Sequence, residues 1–151
     1  MALLTRKEQK TVNNALAILS GLFRKSDAHI SNPEQVKEFC RLQISHLEHE
    51  VFGVLFLNHK NHLLAYKNLF RGTIDETPVY TREVAKEALA LNASALIFTH
   101  NHPSQNTDPS KADLEITTKL IDAMELLDIC VLDHIIVSPT SALSFAESGL
   151  L

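Results

Sequence analysis

Apolar positions in this chain follow several distinct spacings. Val12, Leu16, Leu19 and Phe23 recur at helical intervals. Thr5 and Glu8 precede them with capping-box spacing, so a first helix is predicted there, weakened in its last turn by Gly21. Residues 25–32 are polar and read as a linker or exposed loop. A second helix should start at Ser31 or Asn32 with Pro33 in its first position, where a missing N–H costs nothing. Val36, Phe39, Cys40 and Ile44 form its inward face, and the pattern fades over 46–50.

The period then changes. Residues 51–57 are almost continuously apolar, which suits a strand covered on both faces. A polar turn at 58–61 and a returning strand over 62–70 complete a hairpin, ended by Arg71-Gly72. A helix over 81–91 follows, with Val84, Ala85, Ala88 and Leu89 inward. Residues 95–99 form a short buried strand that runs into His100, and 101–109 have loop composition. A long helix over about 110–127, a strand over 129–137 and a short strand over 142–145 finish the pattern. Strands alternating with helices predict α/β architecture: a central sheet covered by helices and, because of the hairpin, mixed rather than purely parallel. Residues 1–30 are read as an N-terminal helix and linker, and 31–151 as the main domain, in one compact unit.

At 151 residues the chain has the size of one domain, and 45% apolar with 21% charged residues is ordinary for a globular protein and does not favour disorder. The net charge of −4 and scattered basic residues offer no stripe for phosphates, so nucleic-acid binding is not favoured. Cys40 and Cys130 sit in apolar segments without CxxC spacing and read as buried thiols of a reducing interior. With no signal-peptide pattern and no apolar run of membrane-spanning length, the expected location is cytoplasmic, away from membranes.

The chemistry concentrates between Thr99 and Asp113. In extended backbone, residues i and i+2 point the same way, so His100 and His102 can address one ion. Pro103 turns the chain, and the following helix brings Asp113 back over the same edge. Two imidazoles and one carboxylate leave zinc with an open fourth position, the catalytic rather than the structural arrangement. Hydrolysis also needs a base, and Glu50, at the mouth of the strand beginning Val51, is the candidate. The same donor set would also suit Fe(II) for oxygen activation.

His100-x-His102-Pro103, six residues, Ser110, two residues, Asp113 resembles the JAMM (MPN-type) metalloprotease motif, and Glu50-x-x-Gly53-x-Leu55 is similar to its upstream glutamate segment. From about residue 47 to the end the chain further resembles the RadC family. Phe70-Arg-Gly-Thr-Ile-Asp75, Arg82-Glu-Val-Ala-Lys-Glu-Ala88, His100-Asn-His-Pro-Ser104 and Leu132-Asp-His134 carry that likeness. The resemblance implies a three-layer, cytidine-deaminase-like sandwich and a zinc peptidase-type site. By motif position His100, His102 and Asp113 would be ligands, Glu50 the general acid/base, and Ser110 the donor to a tetrahedral oxyanion. A peptide, protein or isopeptide substrate follows. Two departures stand out: a chain of this length has no room for the helix-hairpin-helix region of longer RadC-like proteins, and Gln105 replaces a frequent Gly.

Plainer readings accompany these. Ser110 and Asp113 would cap the helix whatever else they do. Glu50 would be a solvated residue at a helix end. His46 and His49 lack HExxH spacing and, with His59 and His62, read as surface; Asp133-His134 reads as a satisfied buried pair, with His134 beside the metal ligands as the alternative. A DNA-repair-associated binding module with a structural or vestigial metal site is the competing function, against which the acidic pI and complete ligand set both argue. Oligomeric state is left open.

Overall fold

A computed structural model of the chain describes residues 4–24, 30–72 and 77–151, the side chains of 23 and 24 excepted. Most of the polar stretch after the first helix, residues 25–29, lies outside these, as do Phe23's side chain and residues 73–75 of the RadC-like segment.

Helix α1 (Arg6–Arg24) begins with the capping box: Thr5 N–H donates to Glu8 (2.7 Å), and Glu8 N–H to Thr5 Oγ1 (3.3 Å). Helix α2 (Pro33–Ile44) is capped by Asn32, whose side chain accepts from the N–H groups of Glu34 and Gln35. Strands β1 (Val51–Leu57) and β2 (Leu63–Arg71) form the hairpin. Helix α3 (Thr81–Ala90), strand β3 (Ala95–Asn101), helix α4 (Lys111–Glu125) and strands β4 (Cys130–Val137) and β5 (Ala142–Ser144) complete the chain.

The five strands lie in the order β2-β1-β3-β4-β5. Only the β3–β4 pair is parallel, joined through α4; the other pairs are antiparallel, so the sheet is mixed. Because side chains alternate along each strand, β1 feeds two cores. Val51, Leu55 and Leu57 pack with Phe39, Cys40 and Ile44 of α2, and Leu16 and Leu19 of α1 press against that cluster. Phe52, Val54 and Phe56 pack with Val84 of α3 and Leu120 and Met124 of α4. The result is a three-layer α/β sandwich. No helix among the described residues is long and apolar enough to cross a membrane.

At Gly53 the β1 face carries Tyr66 of β2, and a Cβ there would meet Tyr66 Cζ at 2.9 Å. Two core assignments differ from the sequence pattern. Leu89 is 58% exposed, because it lies about 100° round the helix from Ala88, off the narrow stripe of Val84 and Ala88. Cys130 is exposed rather than buried: Ile129 takes the covered side and Cys130, next in an alternating strand, the other.

Candidate metal centre

The antiparallel pairing of β1 with β3 sets Phe52 opposite His100. The start of β1 therefore lies at the sheet edge where β3 ends, and Glu50, His100 and His102 share that edge.

His100 belongs to β3 and is buried on its α4-facing side. His102 lies one residue past the strand, where its backbone N–H donates to Val137 O (2.8 Å) and holds the chain against the end of β4. Asp113 comes from the first turn of α4, where a capping box fixes it: its carboxylate accepts from Ser110 N–H (2.8 Å), and its own N–H donates to Ser110 Oγ (3.1 Å). Helix N-termini also favour negative charge. The structure brings the three together. His100 Nε2 lies 2.9 Å from His102 Nε2 and 3.1 Å from one Asp113 oxygen, and the other oxygen is 3.2 Å from His102 Nε2.

This group fits a divalent cation on two grounds. Tetrahedral zinc with bonds of about 2.0–2.1 Å separates its ligand atoms by about 3.3 Å; the two imidazole nitrogens lie 2.9 Å apart, each has an Asp113 oxygen within 3.2 Å, and one donor atom from each residue can be chosen with all three within 4.8 Å of one another. The second ground is chemical. His102 Nδ1 lies 2.9 Å from the carbonyl of Asn106, which only accepts, so Nδ1 carries a proton and neutral His102 has a bare Nε2. That lone pair faces a carboxylate, so the pair calls for positive charge between them. In the absence of a cation, burial opposes ionisation of Asp113, but its contacts with the imidazoles of His100 and His102 outweigh it and hold the carboxyl well below its usual range. Burial likewise opposes charge on His102, yet Asp113 and the Asn106 carbonyl raise its pKa.

Glu50 is half-buried, and burial raises its pKa against the opposing pull of His100 and of Thr77, whose hydroxyl donates to Glu50 Oε2 (3.2 Å). It lines a cavity of about 500 Å³ together with His100, His102, Asp113 and Ser110. Phe52, Pro78, Val79, Ala112 and Ile116 give the same cavity an apolar wall, and no lysine or arginine is among its described lining residues. Ser110 is both a helix cap and a cavity residue. Its Oγ accepts from Asp113, which leaves the hydroxyl proton available.

Two neighbours of the site carried no sequence assignment. Asn101, between the two histidines, is fully buried on the opposite face. Its side chain accepts from Val51 N–H (2.7 Å) and donates to the carbonyls of His49 (3.0 Å) and Leu47 (3.3 Å), clamping the segment that carries Glu50 to the strand that carries His100. The alternation that aligns His100 with His102 also sends Asn101 inward, which was the available signal. Thr117, one turn after Asp113, is the other, its hydroxyl 2.6 Å from His134 Nδ1. Asp133 and His134 are not a pair of side chains. They point to opposite faces: Asp133 accepts from Ser144 Oγ and Ala146 N–H, while His134 Nε2 lies 2.8 Å from His100 Nδ1. Burial pushes the pKa of His134 well below the usual histidine range. His59 is exposed as expected, whereas His46, His49 and His62 are half-buried. Among the described residues, His100, His102 and Asp113 are the group of three able to hold a metal ion.

Comparison with known proteins places this site in a family. Residues 30–150 match the model of the RadC-like JAB domain. The chain is 54% identical over 120 residues to a UPF0758 protein of Leptothrix cholodnii, covering 80% of this chain and 54% of that one, so it spans about half of that relative's length. A UPF0758 protein of Vibrio cholerae is 46% identical over 144 residues, covering 95% of this chain and 90% of the relative. Escherichia coli has one that is 44% identical over 143 residues, with 95% and 89% covered. The family-model match spans the sheet and the whole donor set, and the chain belongs to the RadC-like JAB domain family.

Proposed function

We propose that this chain is a zinc-dependent hydrolase, a metallopeptidase acting on an amide, peptide or isopeptide bond. One observation carries the reading: two imidazoles and an ionised carboxylate face one point on the wall of a cavity that also holds a half-buried glutamate. His100, His102 and Asp113 would hold the metal. Bound there, zinc supplies Lewis acidity, which acidifies water and polarises a carbonyl.

The remaining work falls to the chain's own side chains. Glu50, kept basic by burial, takes the proton of the attacking water and returns it to the leaving amine. Thr77 orients that carboxylate through its hydrogen bond. Ser110 offers its unused hydroxyl proton to the tetrahedral oxyanion. Asn101 fixes the distance between the base and the ligand strand. The apolar wall, without cations among its described residues, favours an uncharged peptide segment over a phosphodiester. The substrate is thus proposed to be a peptide or protein rather than DNA.

The test is metal analysis of protein purified without added metal, followed by turnover on a peptide panel. Zinc near one ion per chain and a Glu50→Gln variant that keeps the metal but loses about 10²–10⁴ in kcat are expected. Full activity in Glu50→Gln would remove the assigned base. Iron with oxygen-dependent turnover would favour the Fe(II) alternative, and no uptake of any divalent ion would end the reading.

A further inference from the structure

The hydrogen-bond partners of His134 can be followed proton by proton. Thr117 Oγ1 lies 2.6 Å from the backbone carbonyl of Asp113. Two oxygens at that separation require a proton between them, and the carbonyl has none, so the threonine hydroxyl donates to it. A hydroxyl has one proton. The other neighbour of Thr117 Oγ1, His134 Nδ1 at 2.6 Å, must therefore be the donor in that contact.

His134 is fully buried, with its ring against Phe52, Phe98 and Phe145, and the Asp133 carboxylate accepts from its backbone N–H rather than from the ring. Above the ordinary histidine titration range the rings of His134 and His100 are both neutral, and the hydrogen bonds then decide which nitrogen carries the proton. With its proton on Nδ1, neutral His134 presents a lone pair at Nε2. The atom facing that lone pair, His100 Nδ1 at 2.8 Å, must in turn carry a proton. Neutral His100 is then bare at Nε2, the atom that faces His102 and Asp113.

We propose that Thr117 and His134 form a buried proton-ordered relay that locks His100 in its metal-ready tautomer, making both positioning residues for the metal centre. The relay begins and ends at the ligand set. Its acceptor is the carbonyl of Asp113 itself, and its far end is the ring of His100, so one chain of hydrogen bonds ties the ligand helix α4 to the ligand strand β3 through β4. The other histidine is ordered separately, by Asn106. Metal-binding histidines generally depend on the partner of their second nitrogen, and its loss costs about 10–100-fold in affinity. This inference rests on the metal-site reading above for its purpose, but not for its proton ordering.

The experiment uses full-length, isotope-labelled protein stripped of metal, observed above the usual histidine titration range. Long-range proton–nitrogen correlation of the imidazole rings should show His134 and His100 both protonated at Nδ1. Thr117→Val, close in shape but without the hydroxyl, releases His134 to place its proton on Nε2. The correlation should then show the His100 proton moved to Nε2, and zinc affinity, measured by competition with a chromophoric chelator, should weaken about 10–100-fold. Thr117→Ser should restore both. An Nε2-protonated His134 in the wild-type chain would overturn the relay, and so would a Thr117→Val variant with unchanged tautomers and unchanged zinc affinity. Should Thr117→Val fold poorly, the wild-type spectrum alone decides. A wild-type chain with the ordered tautomers but no zinc uptake would refute the metal reading and the purpose assigned to the relay, leaving its proton ordering intact.

Discussion

Ser110 offers a separation of two roles in one side chain. As a cap it accepts the Asp113 N–H at 3.1 Å, and as a cavity residue it has a hydroxyl proton to donate. Replacing an N-cap serine by alanine costs about 1 kcal/mol, whereas glycine costs only a few tenths. For a chain of this size 1 kcal/mol moves Tm by about 2–4 °C. Ser110→Ala should therefore melt about 2–4 °C below wild type and Ser110→Gly less than about 1 °C below. The extended backbone of Ser110 (φ −75°, ψ 166°) suits glycine without rearrangement. Both variants lack the hydroxyl. If it stabilises the oxyanion, both lose about 10²–10³ in kcat, or about 2.7–4 kcal/mol, and keep their zinc, because Asp113 remains held by the Ser110 backbone N–H. Thermal melts, metal content and turnover on the best peptide of the panel read the three quantities separately. A Ser110→Gly variant that turns over like wild type would show the serine to be a cap and nothing more.

Three further outcomes are expected. Gly53→Ala forces Tyr66 off the strand, since its hydroxyl oxygen and Cζ both crowd the new methyl group; overpacking costs about 1–3 kcal/mol, and Tyr66→Phe should recover part of the lost Tm, so an unchanged melting curve would contradict the packing. Burial raises the pKa of Glu50 and the Thr77 hydroxyl lowers it. A base must be deprotonated, so activity rises with pH through that pKa, and Thr77→Val should move the acid limb of the kcat/KM profile to higher pH; a limb that stays put or moves down refutes the assignment. Burial pushes the Cys40 thiol up to about 12, whereas Cys130 is exposed. A thiol reagent should thus modify only Cys130 in the native chain and both cysteines after unfolding, and rapid double labelling of native protein would count against the buried α2 face.

The outline of the fold was legible because its elements are bounded by local chemistry. Asn32-Pro33 starts α2 and the Ser110–Asp113 box starts α4, and neither depends on distant residues. The reading failed where the width of a buried stripe mattered, as at Leu89, or where the end of a strand lost its cover, as at Cys130. Both are questions of what packs on a surface, which spacing does not specify.

The donor set was likewise written locally: within fourteen residues a strand end, a turn and a capped helix aim two imidazoles and a carboxylate at one place. That much follows from the period of a strand and the geometry of a helix start. The tertiary structure decided what surrounds them. Antiparallel pairing of β1 with β3 put Glu50 on the ligands' edge of the sheet, and parallel pairing of β3 with β4 put His134 behind His100. Asn101 and Thr117 acquired partners 50 and 17 residues away. Hydrogen-bond roles of this kind depend on which faces meet across the sheet, and a linear sequence fixes which way a side chain points long before it fixes what it meets.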